Sequence, residues 1–325
     1  MVKKGHHSLI AAAVLGSLFA SAAVANDNYP SKPVRIVVPL APGGSNDVLA
    51  RMLAADVSAE FKETVFVENR PGASGNIGTD HVAKADGDGY TLGIAPNQTV
   101  SVNPALYNNL PFDVQKELRG VTLLATLPQI LVVSPKVKAN TIEELVDYAK
   151  KNPGKLTFAS AGAGSPQHMS ASIFQNLTGT EMIHVPYKGS SPAMVDVLAG
   201  NVDIMFCPAN TSLPHVTSKR LRALGITGDE RHKQIPDVPT IAERVKGFEG
   251  DIWIGIVAPK STPDPIVEKL NGAFIRSMNN PSNQQKLAEL GITTRTSTPA
   301  EFDRLMAEET QMWARVIKQN QIKVD

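Results

Sequence analysis

Glycine-rich turns are the residues of this sequence whose types and spacing can do chemistry. The turn Pro42-Gly43-Gly44-Ser45 follows the apolar run Val34–Val38 and precedes an amphipathic segment that begins at Val48. This order predicts a strand, a turn and a helix N-terminus. The unpaired N–H groups and the dipole of such an N-terminus can bind an anion, and glycine allows close approach to the backbone. Taken alone, however, the turn is better explained as a tight strand-to-helix connection.

A second segment has the same order. The strand-like run Leu156–Ser160 is followed by the turn Ala161-Gly162-Ala163-Gly164, and Ser165-Pro166 has the residue types that favour a capped helix start. A further capped helix start is predicted at Ser190. Because ligands of open α/β sheets bind at the carboxyl ends of strands, we expect this turn and the Gly43 turn to face each other across a cleft.

Strand-like and helical segments alternate along nearly the whole chain. This pattern predicts an α/β fold with mostly parallel sheets flanked by helices. The chain is long enough for two packed lobes. The strand patterns predict that it leaves the first lobe near Pro128 and returns near Trp253, which gives two hinge crossings. We therefore expect residues 26–128 plus 250–325 in lobe one and residues 129–249 in lobe two.

Residues 1–25 have the features of a secretory signal peptide. Lys3 and Lys4 form a basic start, Leu9–Ala20 an apolar stretch and Ala23-Val24-Ala25 a cleavage site. The apolar stretch is too short to span a bilayer, and no later run reaches the ~20 apolar residues that a membrane helix needs. We expect an exported protein that diffuses in a bacterial periplasm without membrane insertion.

The charge balance and the cysteine count exclude several classes of protein. Without Lys3 and Lys4, 30 of the 32 basic residues remain against 31 acidic residues. This balance argues against nucleic acid as a partner, and no block of like charges indicates a membrane-binding surface. Cys207 is the only cysteine of the sequence, so the chain has no intrachain disulfide and no cysteine zinc cluster.

Enzyme motifs are missing from the sequence. Neither turn contains the Gly-Lys-Ser/Thr of a nucleotide-binding loop, and Gly72-Ala-Ser-Gly-Asn76 lacks the final glycine of a hydrolase nucleophile elbow. The histidines of the exported chain do not have the spacing of a zinc motif; they are His81, His168, His184, His215 and His232. We therefore predict a protein that is not an enzyme, with no catalytic residues, no cofactor and no metal.

Six ordered segments, spread over nearly the whole exported chain, resemble a known family. They are Pro39–Arg51, Glu68–Gly78, Asn103–Tyr107, Ala159–His168, Val185–Gly189 and Ile235–Thr240. Together they resemble the periplasmic solute receptors of tripartite tricarboxylate transporters, the Bug family. The resemblance implies a two-lobed periplasmic-binding-protein (Venus-flytrap) fold that delivers a small carboxylate to membrane transporter subunits.

The resemblance also implies which residues bind the ligand. In the family, backbone amides and bridging water molecules at the two glycine turns bind one carboxylate. The corresponding positions here are Ala41, Pro42, Gly43, Gly44, Ser45 and Asp47 in the first turn, and Ser160, Gly162, Ala163, Gly164, Ser165 and His168 in the second. Binding of this kind needs no arginine pair, in agreement with the argument from helix N-termini.

Several side chains have both a ligand-binding and a structural interpretation. His168 either donates a hydrogen bond to ligand or water or lies on a helix surface. Asp47 lies beside an anion site but is better explained as a brace for its loop, because an acid is favoured at a helix start. Asn97 and Gln98 either contact the distal end of the ligand or form an ordinary polar loop.

The same two interpretations apply to three residues of the second lobe. Tyr187 either covers the cleft or packs within the lobe, and Ser190 either contacts the ligand or only caps its helix. Cys207 lies at the end of the predicted strand, directly after Val202–Phe206, and can alter the distal end of the pocket. Its structural interpretation is a small buried residue, which free cysteines usually are.

The sequence as a whole predicts a monomeric receptor for a small organic mono- or dicarboxylate, aliphatic or aromatic. One alternative is a periplasmic receptor that presents its ligand to a sensor kinase instead of a transporter, and a weaker one is a hydrolase. The identity of the ligand does not follow from the sequence, because backbone amides bind one carboxylate in the same way whatever its remainder.

Overall fold

The computed structural model describes residues 28–187, 189–248, 250–319 and 322. The predicted signal peptide therefore lies outside the described residues. The strands are β1 (Val34–Val38), β2 (Val65–Asn69), β3 (Thr91–Pro96), β4 (Leu118–Leu127), β5 (Gln129–Val133), β6 (Thr157–Ser160), β7 (Ile183–Pro186), β8 (Ile204–Pro208), β9 (Arg222–Ile226), β10 (Ile252–Pro259) and β11 (Thr293–Thr294).

Helices alternate with these strands through most of the chain. They are α1 (Ser45–Phe61), α2 (Asn76–Ala83), α3 (Asn103–Leu106), α4 (Val114–Glu117), α5 (Ile142–Lys151), α6 (Pro166–Thr178), α7 (Ser190–Ala199), α8 (Ala209–Thr217), α9 (Asp264–Met278), α10 (Pro281–Glu289) and α11 (Pro299–Gln319). In the described part of the chain, no helix combines the length and the apolar character needed to cross a membrane.

The strands form two sheets, in the order β11-β4-β10-β3-β1-β2 and β7-β6-β8-β5-β9. In the first sheet β1 pairs in parallel with β2 and β3, whereas β10 is antiparallel to β3 and β4. In the second sheet β6 pairs in parallel with β7 and β8, whereas β5 is antiparallel to β8 and β9. The predicted two-lobed α/β class is confirmed, but both sheets are mixed rather than mostly parallel, because β5 and β10 enter from the opposite lobe and run against their neighbours.

The chain passes between the two sheets at two places. β4 ends at Leu127 in the first sheet and β5 begins at Gln129 in the second, so Pro128 alone forms the first crossing. The second crossing lies between Ile226 at the end of β9 and Ile252 at the start of β10. The exact lobe boundaries near residues 128 and 250 stay a prediction.

Local sequence explains the helices that support the sheets. Thr141 caps α5 by accepting a hydrogen bond from the Glu144 N–H, and the helix buries Ile142, Leu145 and Ala149 at helical spacing. On the first sheet, α1 buries Leu49, Leu53 and Val57, which are four residues apart. Each of these two helices therefore lays one apolar stripe on its sheet.

The C-terminal helix α11 contacts both hydrophobic cores. Phe302 and Met306, in its first half, pack with Trp253 of the first sheet. Trp313 and Ile317, in its second half, belong to the core beneath the second sheet. The helix thus joins the two sheets at a third place, in addition to the two crossings.

Candidate ligand-binding site

The first turn (residues 41–44) joins β1 to α1. Gly43 has a positive φ of 85°, which favours glycine, and Gly44 is the extended N-cap residue of α1. The carbonyl oxygen of Gly44 accepts hydrogen bonds from the Asp47 and Val48 N–H groups. Residues 41–44 are exposed, and the first N–H groups of a helix have no partner within it. The turn therefore presents amide donors at an accessible helix N-terminus, as predicted.

Asp47 holds the first turn in shape. Its buried carboxylate accepts hydrogen bonds from the Gly43 N–H at 3.0 Å, Arg51 Nε at 3.0 Å and Asn69 Nδ2 at 2.9 Å. The bond from Arg51, aided by that from Gly43, lowers the pKa of the carboxyl to about 2. The placement favours a brace for the turn over a direct ligand contact, and it also pairs Asp47 with Arg51, one turn further along α1.

The second turn (residues 161–164) joins β6 to α6 and contains two glycines with positive φ, 128° at Gly162 and 72° at Gly164. Ser160 Oγ accepts a hydrogen bond from the Gly162 N–H at 3.1 Å. Ser165 caps α6 by accepting from the His168 N–H, and Pro166 is the first residue of the helix. This capped helix start is the one predicted from the sequence.

His168 connects its helix to the second turn. Its Nδ1 accepts a hydrogen bond from the Gly164 N–H at 3.1 Å, and the side chain is buried rather than on a helix surface. Burial, together with the neighbouring His184, lowers the pKa of His168 to about 4. The ring is therefore neutral at pH 7, with Nδ1 as acceptor and the proton on Nε2.

His184 is a structural partner that the sequence analysis missed. Its ring stacks on that of His168 with centroids 3.9 Å apart, and its Nε2 lies 2.6 Å from Ser160 Oγ. The pairing of β6 with β7 places His184 opposite Phe158, whose ring stacks on that of His184 with centroids 4.8 Å apart and on that of His168 with centroids 6.0 Å apart. The alternation of side chains along β7 predicts on which face of the sheet His184 lies. Its contacts, however, also depend on the register between β6 and β7.

Tyr187 and Ser190 stabilise the surroundings of the second turn. The Tyr187 N–H donates to the Ser160 carbonyl oxygen at 3.0 Å, and its hydroxyl donates to Asp196 at 2.5 Å. Ser190 Oγ accepts from Gln167 Nε2 at 2.8 Å, which links the N-termini of α6 and α7. Ser190 is the first residue of α7 and Gly189 its N-cap, so the predicted serine cap is wrong.

Two other predicted residues lie in different surroundings. Cys207 is fully buried in the core with Ile130 and Ala159, and burial raises the pKa of its thiol to about 12. This placement favours the small buried residue over a contact with ligand. Gln98 begins the π-helical turn Gln98–Val102 and is half-buried, so it is not part of an ordinary loop.

Strand register places the two turns on corresponding edges of their sheets. β1 and β3 are parallel neighbours, so the first turn, which follows β1, and Asn97, which follows β3, lie at the same edge of their sheet. In the second sheet β6 and β8 are parallel neighbours, so the second turn and Pro208, the last residue of β8, likewise lie at one edge. Each turn thus lies at the carboxyl edge of its parallel strands, where ligands of α/β sheets bind.

These two edges meet at the second crossing. From the first sheet, Asn97 Nδ2 donates to the Asp251 carbonyl oxygen at 3.0 Å. From the second, Gln129 Nε2 donates to the Gly250 carbonyl oxygen at 2.9 Å, and the Gln129 N–H donates to Thr227 Oγ1 at 2.8 Å. We call Asn97, Gln129, Thr227, Gly250 and Asp251 the junction.

The junction contains acceptors that lack a donor. Asn97 Oδ1, Gln129 Oε1 and Asp251 Oδ1 are inaccessible to solvent and have no hydrogen-bond partner in the described part of the chain. Burial and the nearby charge of Asp229 raise the pKa of the Asp251 carboxyl to about 6, against the opposing effects of Thr227 and Arg295. An enclosed acceptor without a donor costs about 1 to 3 kcal/mol.

We expect Asp251 to make the protein about 1 kcal/mol more stable at pH 5 than at pH 7. Its pKa is about 6 in the folded protein and ~3.9 in an unfolded chain, so folding takes up a proton. The stabilisation by that proton is lost as the pH rises through 6. Urea denaturation at both pH values measures this difference in the free energy of unfolding. Asp251→Asn is the control, since its amide does not titrate. Identical pH dependence in the two proteins would contradict the burial of this carboxyl.

A cavity of about 620 Å³ lies elsewhere in the second lobe. It is lined by the rings of Phe158, His168 and His184, by Glu181, and by Ile322 near the C-terminus, among others. No residue of the first turn or of the junction lines it. Among the described residues, no group of three His, Cys, Asp or Glu could hold a metal ion.

Comparison with known proteins decides the family. The sequence model described as "Tripartite tricarboxylate transporter family receptor" matches residues 49–322. The chain belongs to this family. Protein BugT of Bordetella pertussis is 37% identical over 320 residues, which are 96% of this chain and 98% of BugT. The predicted Bug-family resemblance is thus confirmed, and as a member of the family the chain is a solute-binding receptor rather than an enzyme.

Solved structures of family receptors share the fold of the chain. Rpa4515 of R. palustris, solved with adipate, is 32% identical with a TM-score of 0.78, and the match covers 91% of this chain and 99% of that one. MatC from Rhodopseudomonas palustris, solved with malate, is 30% identical with a TM-score of 0.74, and the match covers 89% and 100%. Carboxylate binding by receptors of this fold is therefore documented in two neighbours.

Proposed function

We propose that this chain is a periplasmic receptor that binds a small organic mono- or dicarboxylate for uptake by the membrane subunits of a tripartite tricarboxylate transporter. The observation that carries the proposal is the pair of glycine turns, each at a helix N-terminus and each at the carboxyl edge of its sheet. The carboxylates named with the two structural neighbours support the same ligand class.

The turns supply the chemistry for holding one carboxylate. The first amides of α1 and α6 point their N–H groups toward the sheet edge, and the dipoles of both helices favour negative charge there. Asp47 and His168 hold Gly43 and Gly164 in place by hydrogen bonds to their N–H groups. In this proposal these two side chains position the turns, and the backbone binds the anion.

Binding would favour the arrangement in which both turns contact the same ligand. The two sheets are joined by the short crossing at Pro128 and by the crossing at Asp251, and a ligand shifts such an equilibrium only by its differential affinity for the two arrangements. A carboxylate held by amides from both lobes has that differential affinity. The receptor would then present a closed, loaded form to its transporter.

A thermal-shift screen against aliphatic and aromatic carboxylates tests the proposal. We expect at least one carboxylate, at 100 times its dissociation constant, to stabilise the folded protein by about 2.7 kcal/mol. The methyl ester or amide of the same acid is the control, because it keeps the shape but lacks the anion. The proposal fails if no carboxylate shifts the transition, or if the neutral analogues shift it equally.

A further inference from the structure

We propose that the junction selects ligands with a hydrogen-bond donor, a hydroxyl or an ammonium group, a few bonds from the carboxylate, and that Asn97 and Asp251 accept it. This inference rests on the proposed function and narrows its ligand class. A simple dicarboxylate, with a second anion in place of the donor, is then a poorer ligand than an amino or hydroxy carboxylate of the same length.

The first support is the chemistry of the unpaired atoms. Asn97 Oδ1 and Asp251 Oδ1 are both acceptors, both enclosed, and both without a donor in the described residues. The orientation of the Asn97 amide is fixed, because its Nδ2 donates to the Asp251 carbonyl oxygen. Gln129 Oε1 of the junction is enclosed and unpaired as well, and such acceptors call for donors from outside the chain.

The second support is the position of Asn97 and Asp251 relative to the first turn. Asn97 follows β3 directly, and the first turn follows the neighbouring parallel strand β1, so both lie at the same edge of the first sheet. Asp251 directly precedes β10, which pairs with β3, and its carboxylate also faces Thr227 and Gly228, which follow β9 of the second sheet. A small molecule held by its carboxylate at the first turn thus extends toward both acceptors.

The third support is the local charge. The charged groups that act on the Asp251 carboxyl are Asp229 and Arg295, one acid and one base. Arg295 Nη1 lies 3.7 Å from Asp229 Oδ2, so its charge is shared with that acid. Because these two exposed charges largely offset each other, the ionised Asp251 carboxylate leaves the junction negative above pH 6, which repels a second ligand carboxylate and attracts an ammonium group.

The unpaired acceptors also oppose closure without a ligand. An enclosed acceptor that lacks a donor destabilises the arrangement that encloses it, and a ligand with a donor removes this cost. A ligand without a donor leaves the cost in place, although its carboxylate is bound in the same way. The preference for ligands with a donor therefore arises from the junction and not from the turns.

Isothermal titration with two matched ligand series tests the inference. The series are propanoate and butanoate, each with hydrogen, hydroxyl, ammonium or carboxylate on its last carbon. In the series whose length fits, we expect the hydroxyl or the ammonium compound to bind at least tenfold more tightly than the unsubstituted and the dicarboxylate compounds. Equal affinities within both series would overturn the inference and leave the carboxylate receptor intact. If none of these or other carboxylates bound, both proposals would fall.

Two variants test whether the junction residues cause this ligand preference. Asp251→Asn removes the negative charge and adds an amide donor, so the ratio of dicarboxylate to ammonium affinity should rise at least tenfold. Asn97→Leu removes the other acceptor and should reduce the preference for the hydroxyl compound. Asp303→Asn is the matched control. It also replaces a half-buried carboxylate by an amide, but Asp303 accepts its hydrogen bond from the Gly120 N–H and contacts no junction residue through it. An unchanged ligand ratio in both junction variants would overturn the assignment.

Discussion

Gly44→Val should lower the affinity for carboxylates at least 100-fold and change the free energy of unfolding by less than about 1 kcal/mol. Gly44 has an extended φ of −80°, and a Cβ built there meets only the Ala41 carbonyl oxygen, at 3.9 Å. The fold therefore accommodates valine. The branched side chain, however, would stand at the mouth of the first turn and cover the amides of α1. Calorimetric titration with a carboxylate and urea denaturation measure the two quantities.

A control for this variant uses a glycine remote from both turns. Gly154 has a positive φ of 67° and open space around its Cβ position. Gly154→Val should therefore lose stability through backbone strain but keep its affinity, the opposite pattern to Gly44→Val. Unchanged affinity in Gly44→Val would show that ligands do not approach the first turn.

His168→Leu should lower carboxylate affinity about tenfold and the free energy of unfolding by about 1 to 3 kcal/mol. Leucine cannot accept the hydrogen bond that the Gly164 N–H donates to Nδ1, so the second turn loses its internal support. It also removes a ring from the stack with His184. Because the pKa of His168 is about 4, the wild-type affinity should stay constant from pH 8 down to about pH 5 as far as this residue is concerned.

His168→Asn separates the hydrogen bond from the ring. The Oδ1 of asparagine lies close to the position of histidine Nδ1 and can accept from the same N–H, so this variant should recover most of the affinity but not the stability. Phe174→Leu is a control on the same helix and is also buried; it should lower the free energy of unfolding but leave the carboxylate affinity unchanged. If the leucine and asparagine variants lost affinity equally, the bond to Gly164 would not be the cause.

Local patterns were sufficient to predict much of the fold. The strand Val34–Val38 and the Ser165 cap follow from apolar patterning and capping chemistry that a few neighbouring residues determine. The crossing at Pro128 was also predictable, because a proline between two apolar runs interrupts the strand. The family resemblance then indicated how the two lobes are used.

Contacts between distant segments were not predictable in the same way. The direction of β5 and β10 depends on how the chain re-enters each sheet, so the mixed sheets did not follow from the alternation of strands and helices. The stack of His168 on His184 and the acceptors at Asp251 depend on the register of strands far apart in sequence. For Asn97 and Gln98, a polar pair after a strand gave no sign of the π-helical turn that follows.

The position of α11 limits how the two halves of the molecule can move. Phe302 and Trp313 lie on one continuous helix, roughly 16 Å apart along its axis, and each is embedded in a different core. Moving the two halves straight apart would remove one of these residues from its core, whereas rotation about an axis near α11 would leave both in place. We therefore expect any opening of the molecule to be a rotation about an axis near α11.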